Sequence, residues 1–431
     1  MFYHSTNKQS RPVDLKYAVL KGLADDGGLY MPQSIPQLQP EFWSELPHMS
    51  LAETGFRIAR SLLESEVPVS VLKKICYDTL SFDIPLVKID ENVYTLELFH
   101  GPTMAFKDVG ARFMSRLMSW FQQSDSRRLK VVVATSGDTG GAVAAGFYDL
   151  PGIDVYVLFP KGKVSSLQQK QITTWGKNIN AIEVDGTFDD CQALAKEVLS
   201  DRELNDAFLI TSANSINIAR LIPQSFYYVW AAAQLESLSK PLVFSVPSGN
   251  FGNLTAGLMA SAMGLPVSRF VAATNINDVV PQYYISGKYQ PQPSVQTISN
   301  AMDVGNPSNY ARMMELFENR YPEFCKNIYA CAFSDTQTQE AIKKVLNDFN
   351  YLLDPHGAIG FLGAREYLRK VETDAQVVFL ETAHPAKFPE TLPIVMEAEG
   401  KLPWQLQQIA NKQEKYVSVE NSYQKIKQEI I

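Results

Sequence analysis

The sequence predicts an α/β fold built on an open parallel sheet. Three observations carry that expectation. Six short runs rich in β-branched and aromatic residues recur along the chain, at 130–134, 155–159, 208–211, 242–246, 269–273 and 377–380. Each is nearly continuous in apolar character, as in a strand buried on both faces, and does not alternate between core and water. Helical stretches separate the runs, and strand then helix in repetition means parallel strands joined by crossovers.

In chain order, residues 1–80 read as a mostly helical N-terminal domain. Asp25-Asp26-Gly27-Gly28-Leu29-Tyr30-Met31-Pro32 interrupts it, and its Gly and Pro residues mark a compact turn. The core then occupies 81–431, with a smaller mobile lobe expected over about 108–220. A helix is expected over 107–121, and another over 254–263 directly after the 242 strand. The last stretch, 411–431, reads as a charged helix-like segment. No period of 20 to 50 residues repeats, which excludes solenoids and propellers.

Length and composition set the remaining bounds. The 431 residues, 45% hydrophobic and 20% charged, suffice for two or three domains with substantial cores and lie far from a disordered composition. Lys plus Arg number 39 against 46 for Asp plus Glu, and the net charge of −7 argues against nucleic-acid or anionic-membrane partners. The polar start, 1–12, does not resemble a secretory signal, and no apolar run approaches a membrane span. A cytoplasmic protein is expected. Cys76, Cys191, Cys325 and Cys331 lack CxxC spacing, so buried free thiols are expected and a metal site is not.

Ligands of open parallel sheets collect where strand ends meet helix N-termini. Three strand ends carry Gly-rich or small polar residues ahead of a helix: 135–141, 247–253 and 381–385. In the second, glycines and a helix start offer converging N–H groups to an oxyanion. This string is neither GxGxxG nor a P-loop, which leaves a nucleotide reading without its fingerprint. A tight turn with a Gly cap competes evenly with anion binding. Lys107, at a helix start beside Phe106, could present a neutral amine to a carbonyl carbon, although a lysine with its stem over apolar surface fits the local string better. The loop of Thr135, Ser136, Asp138 and Thr139 could clamp a carboxylate, or could simply cap a helix through Asp138 or Thr139. Segments 161–171 and 211–220 gather amides, hydroxyls and cations for a second anion site. Each alone reads more readily as a solvated helix start.

Taken in order, the strings Phe-His-Gly-Pro-Thr-Met-Ala-Phe-Lys-Asp at 99–108, Thr-Ser-Gly-Asp-Thr-Gly at 135–140, Asn-Ser-Ile-Asn-Ile-Ala-Arg at 214–220 and Thr-Ala-His-Pro-Ala-Lys-Phe at 382–388 resemble the threonine synthase family. The N-terminal 22–32 string resembles it too. Met104 departs from the Leu common in that family. The resemblance implies a two-lobed, tryptophan-synthase-β-like core of pyridoxal-phosphate fold type II. It implies conversion of O-phospho-L-homoserine and water to L-threonine and phosphate with pyridoxal 5′-phosphate as cofactor. Lys107 then carries the cofactor and acts as base. Gly249, Asn250, Phe251 and Asn253 bind its phosphate, Thr382 meets the ring nitrogen, and Asp138 lies near the 3′ oxygen. Thr135, Ser136 and Thr139 hold the substrate carboxylate, while Lys163, Ser215, Asn217 and Arg220 form the second anion site. A monomer or homodimer is expected.

Two other readings share this fold class or its ligands. A serine or threonine dehydratase would keep the cofactor residues but not the 99–108 and 381–388 strings. A non-catalytic binding relative would have no need of Lys107 and Asp138.

Overall fold

The computed structural model describes residues 1–389 and 402–431. At the N-terminus β1 (Tyr3–Ser5) pairs antiparallel with β2 (Tyr30–Pro32), adding a small sheet to the expected helices Leu15–Lys21, Leu51–Leu63 and Val69–Thr79. The compact turn forms around Asp26, whose carboxylate accepts the Gln9, Ser10 and Gly28 N–H groups and the Ser5 hydroxyl.

The strands that follow are β3 (Leu86–Asp90), β4 (Val93–Glu97), β5 (Leu129–Ala134), β6 (Ile153–Pro160), β7 (Ile179–Asp185), β8 (Leu209–Ser212), β9 (Leu242–Pro247), β10 (Val267–Thr274), β11 (Ile328–Ala332), β12 (Gln376–Glu381) and β13 (Val417–Glu420). They build two sheets, in keeping with the two-lobed core that the family resemblance implies. The larger runs β11-β10-β9-β12-β4-β3 and the smaller β13-β7-β6-β5-β8. Neighbours are parallel throughout except β3 with β4. Every residue of β5, β9 and β12 is buried, as their continuous apolar character requires.

The end of the chain corrects the expectation of a plain helical segment. β13 adds to the smaller sheet through Val417 opposite Ile182 and Val419 opposite Val184. The Tyr423–Ile430 helix then buries Ile426 and Ile430 in the cluster that holds Cys191, Leu194 and Val198. The C-terminus therefore belongs to the smaller sheet.

Between the sheets runs the Lys107–Gln122 helix, one residue longer than expected. The Asp138–Phe147 helix lies close against it because Gly146 has no side chain; a Cβ there would stand 3.1 Å from the Ala111 carbonyl. Cys76, Cys191 and Cys331 are buried, Cys325 is partly so, and all four are free thiols. Among the described residues no helix is long and apolar enough to cross a membrane.

Candidate active site

The carboxyl ends of five parallel strands open on one cavity. Lys107 follows β4, Thr135 follows β5, Ser215 follows β8, Gly249 follows β9 and Thr382 follows β12, and all five residues line it.

The 99–108 string folds as it does because Asp108 gathers its own loop. Its carboxylate accepts the Thr103 hydroxyl at 2.5 Å and the Thr103 N–H at 2.9 Å. Hydrogen bonds to a charged acceptor of this kind contribute about 1.5–3 kcal/mol each. Gly101 fits only because it has no Cβ, which would meet Asp108 Oδ2 at 2.4 Å. Phe106 N–H donates to the Thr382 carbonyl at 2.8 Å, and Ala105 bridges to Ala383, which brings the start of the Lys107 helix beside the end of β12. Burial pushes the Lys107 ammonium down to about 8; Asp138 opposes that effect, whereas Arg220 and Lys387 reinforce it. A minor neutral fraction, growing as pH rises toward 8, is thus present, and the neutral form is what a nucleophilic amine needs.

Opposite it, residues 249–253 form an anion cup. Phe251 is left-handed, with φ 58°, an arrangement that costs a non-glycine residue roughly 1–2 kcal/mol. It caps the Gly252–Ala262 helix, which starts two residues before the expected position. Among the described residues none of the five main-chain N–H groups from 249 to 253 meets an acceptor. Asn250 Nδ2 donates to Ser215 Oγ at 2.7 Å and its Oδ1 accepts the Ser308 N–H. Asn253 spends its side chain inside the cup, taking the Ser248 hydroxyl and donating to the Pro247 carbonyl. Asn253 therefore shapes the cup, and any bond it gives a ligand comes from its main chain.

Asp138 opens the helix after β5, and neither it nor Thr139 is the cap. Gly137 holds the N-cap position at φ 144°, and Thr135 Oγ1 accepts the Gly137 and Gly140 N–H groups at 2.9 and 2.8 Å. The Thr135 hydroxyl is thereby used within the loop, while Ser136 and Thr139 line the cavity. Asp138 Oδ1 lies 2.5 Å from Lys387 Nζ and accepts Gln168 Nε2 at 2.8 Å. Burial alone would push its carboxyl up, but Lys387 and Lys107 outweigh that and hold Asp138 down at about 2.

Arg220 is buried in the cavity wall. One guanidinium nitrogen donates to the Ala213 carbonyl at 3.0 Å, and Nε has no partner among the described residues. Burial lowers it to about 10, still charged at neutral pH. Ser215 Oγ accepts from Asn250 and Asn309 and retains its own proton to donate.

Two expected residues lie elsewhere. Asn217 caps the Ile218–Leu221 helix and gives its amide to the Val19 and Ser212 carbonyls, at 2.9 and 3.2 Å, joining the N-terminal domain to the core. Its side chain has nothing left for a ligand. Lys163 is exposed on the turn after β6, outside the cavity lining.

Several lining residues carry no local sequence signal. The 300–304 turn, with Asp303 pushed up to about 6 chiefly by burial, comes from a long connection. Phe188, Gln192 and Lys196 present one side of an ordinary amphipathic helix. His356 had a signal available, since Asp354-Pro355-His356-Gly357 is a helix start. Asp354 is its N-cap, His356 Nδ1 donates to Asp354 Oδ1 at 2.5 Å, and His356 Nε2 accepts the Ala301 N–H at 3.2 Å. Lys387 was in view within the 382–388 string.

These residues fit a phosphorylated pyridine aldehyde. The cup offers unpaired N–H groups to a phosphate, and Gly249 leaves room there, since a Cβ would come within 2.6 Å of Met302 Cα. Lys107 offers an amine with no hydrogen-bond partner among the described residues. Thr382 supplies a hydroxyl on the same cavity.

Fold and site together define a pyridoxal-phosphate dependent enzyme, and residues 82–383 match the family of that description. Residues 2–80 match the family described as threonine synthase N terminus, and 357–430 that described as threonine synthase, C-terminal. The chain is 44% identical to the threonine synthase of Haemophilus influenzae over 392 residues, 91% of this chain and 90% of the relative. It is similar in structure to the crystallised threonine synthase of Escherichia coli, with TM-score 0.92 and 37% identity, covering 100% of this chain and 99% of the other. The pyridoxal-phosphate-bound threonine synthase of Brucella melitensis gives TM-score 0.91 at 35% identity, covering 100% and 98%. The chain belongs to the threonine synthase family.

Proposed function

We propose that this chain converts O-phospho-L-homoserine and water into L-threonine and phosphate, using pyridoxal 5′-phosphate. The observation that carries the proposal is the cavity itself. A buried amine, Lys107, faces a cup of free N–H groups at 249–253, and a second cation, Arg220, stands in the same wall. A reaction that handles two phosphates calls for two such anion sites.

When bound, the cofactor supplies an electron-withdrawing ring that makes protons near the attached amino group acidic. Lys107 Nζ then takes the proton from the substrate Cα and returns it at the end. The N–H groups of Gly249, Asn250, Phe251 and Asn253 hold the cofactor phosphate. Thr382 offers a neutral hydroxyl to the ring nitrogen, and Asp138 stays anionic near the 3′ oxygen. Ser136 and Thr139, with main-chain N–H groups of the loop that Thr135 shapes, hold the substrate carboxylate. Arg220 and Ser215 hold the leaving phosphate.

The lobe around β5 to β8 is the part we expect to close and exclude water. Its Asp189 accepts a hydrogen bond from Ser294 of the larger lobe at 3.3 Å, a contact able to change on closure. Small-angle scattering with and without substrate checks this, and an unchanged radius of gyration would count against it. The same reading places the chain in the cytoplasm as a monomer or homodimer, and the net charge of −7 speaks against nucleic-acid or anionic-membrane partners. Cell fractionation and light scattering test that placement, and recovery with membranes would reject it.

The decisive assay for the reaction follows phosphate release and threonine formation from O-phospho-L-homoserine, with L-serine and L-threonine as rival substrates. Equal amounts of phosphate and threonine are expected. Keto-acid formation from the rivals, with no phosphate released, would make the chain a dehydratase.

A further inference from the structure

Lys387 is fully buried in the short Pro385–Lys387 helical turn after β12. Its Nζ lies 2.5 Å from Asp138 Oδ1 and donates to the Thr103 carbonyl at 3.0 Å. It thus joins the loop ahead of Lys107 to the helix start after β5. The Ser165 hydroxyl holds the Lys387 carbonyl at 3.2 Å, fixing the turn from the other side.

Three cations and one carboxylate act on the same ground. Lys107 feels Asp138, Arg220 and Lys387. Asp138 faces Lys387 and Lys107, with Gln168 as a neutral donor. Lys387 also acts on Asp108 and His384. A buried carboxylate next to a single ammonium would hold the proton there. With Lys387 on Oδ1, that demand is met without Lys107.

We propose that Lys387 is a positioning residue of the reaction: by taking one oxygen of Asp138 it keeps that carboxylate from pairing with Lys107, so that the Lys107 amine is free to lose its proton. This rests on Lys107 being the amine that carries the cofactor. Lys387 touches neither reacting atom and acts through Asp138.

The test uses the full chain stripped of cofactor and mixed with pyridoxal phosphate, and follows the rate of visible-band growth against pH. The cofactor titrates identically in every arm, so differences belong to the protein. In Lys387→Met the midpoint moves up by about one pH unit or more, a tenfold change in proton affinity. Lys387→Arg restores most of it. In an Asp138→Asn background the same Lys387→Met change shifts the midpoint less, because only the direct repulsion between the two ammonium groups is left. An unmoved midpoint, or equal shifts in both backgrounds, overturns the inference. Should Lys387→Met fail to fold, Asp138→Asn alone is measured, and its midpoint must fall; a rise or no change overturns the inference equally. Lys107→Ala separates the two readings, since unaltered covalent uptake by it would defeat the assignment of Lys107 itself.

Discussion

Replacing Gly249 by alanine puts a methyl group where the structure has no room. The new Cβ stands 2.6 Å from Met302 Cα and 3.0 Å from the Ala301 carbonyl oxygen, while ordinary contact begins at 3.4 Å. Both neighbours are backbone, so no side chain can swing aside, and one of the two segments must shift. The 300–304 turn is the firmer: Ala301 N–H is held by His356, Met302 N–H by the Ser299 carbonyl and Asp303 N–H by the Asn300 carbonyl. Gly249 N–H is held by nothing among the described residues, so the cup gives way. Overpacking of this size costs about 1–3 kcal/mol. Falling on the anion cup, it weakens cofactor binding by about 5- to 140-fold. Titration of cofactor-free protein with pyridoxal phosphate, followed by absorbance, measures this, and thermal unfolding of the cofactor-free protein checks that the fold survives. A dissociation constant within about twofold of the parent, on a folded variant, would refute the assignment of the cup.

Three further outcomes follow from the site. Arg220→Met should raise KM for O-phospho-L-homoserine by about 10- to 100-fold and leave the cofactor spectrum unaltered; unchanged kinetics would remove Arg220 from substrate binding. Asn217→Ala should lower stability by about 1–3 kcal/mol, by removing the amide that links the Val19 carbonyl of the N-terminal domain to the Ser212 carbonyl of the core, with KM unchanged; a raised KM at unchanged melting temperature would return it to the substrate site. Burial first, then Asp354, pushes the Glu381 carboxyl well above the ordinary glutamate range. The folded form holds a proton that the unfolded chain has already released, so this group makes stability fall as pH rises through that window. Glu381→Gln should melt close to the parent and lose that slope, and a loss of about 3–5 kcal/mol would show that a charged group had been removed.

The strands readable in the sequence were those buried on both faces. β5, β6, β9, β10 and β12 each hold a short, mostly apolar run, such as Val131–Ala134, Val155–Phe159 or Val377–Leu380, with polar residues chiefly towards the strand ends. β3 and β4 were invisible because Lys88, Asp90 and Glu97 break their apolar pattern, as suits a hairpin at a sheet edge. β11, Ile-Tyr-Ala-Cys-Ala, is apolar but has one β-branched residue and otherwise mostly small ones, and β13 is a mostly exposed Val-Ser-Val-Glu edge inside a charged stretch, so neither reads as a β-branched run.

At the site, the 249–253 cup was legible because strand end, glycine and helix start adjoin in the sequence, whereas Lys107 stood out through the resemblance of the whole 99–108 string. The 214–220 string shows the limit of such reading. Ser215 and Arg220 reach the cavity, whereas Asn217, polar like its neighbours, turns to Val19 of the N-terminal domain. Which way a polar side chain turns depends on contacts about 200 residues away in sequence, as the Asn217–Val19 pair shows by its separation of 198. The Lys387–Asp138 pair is of the same kind, since neither string contains its partner.

The central claim is that Lys107 is the reactive amine of this cavity. Borohydride reduction of the protein bound to pyridoxal phosphate, followed by peptide mapping, tests it most directly. The account predicts one modified peptide bearing the cofactor on Lys107; label on Lys387, on another lysine, or on none would contradict it.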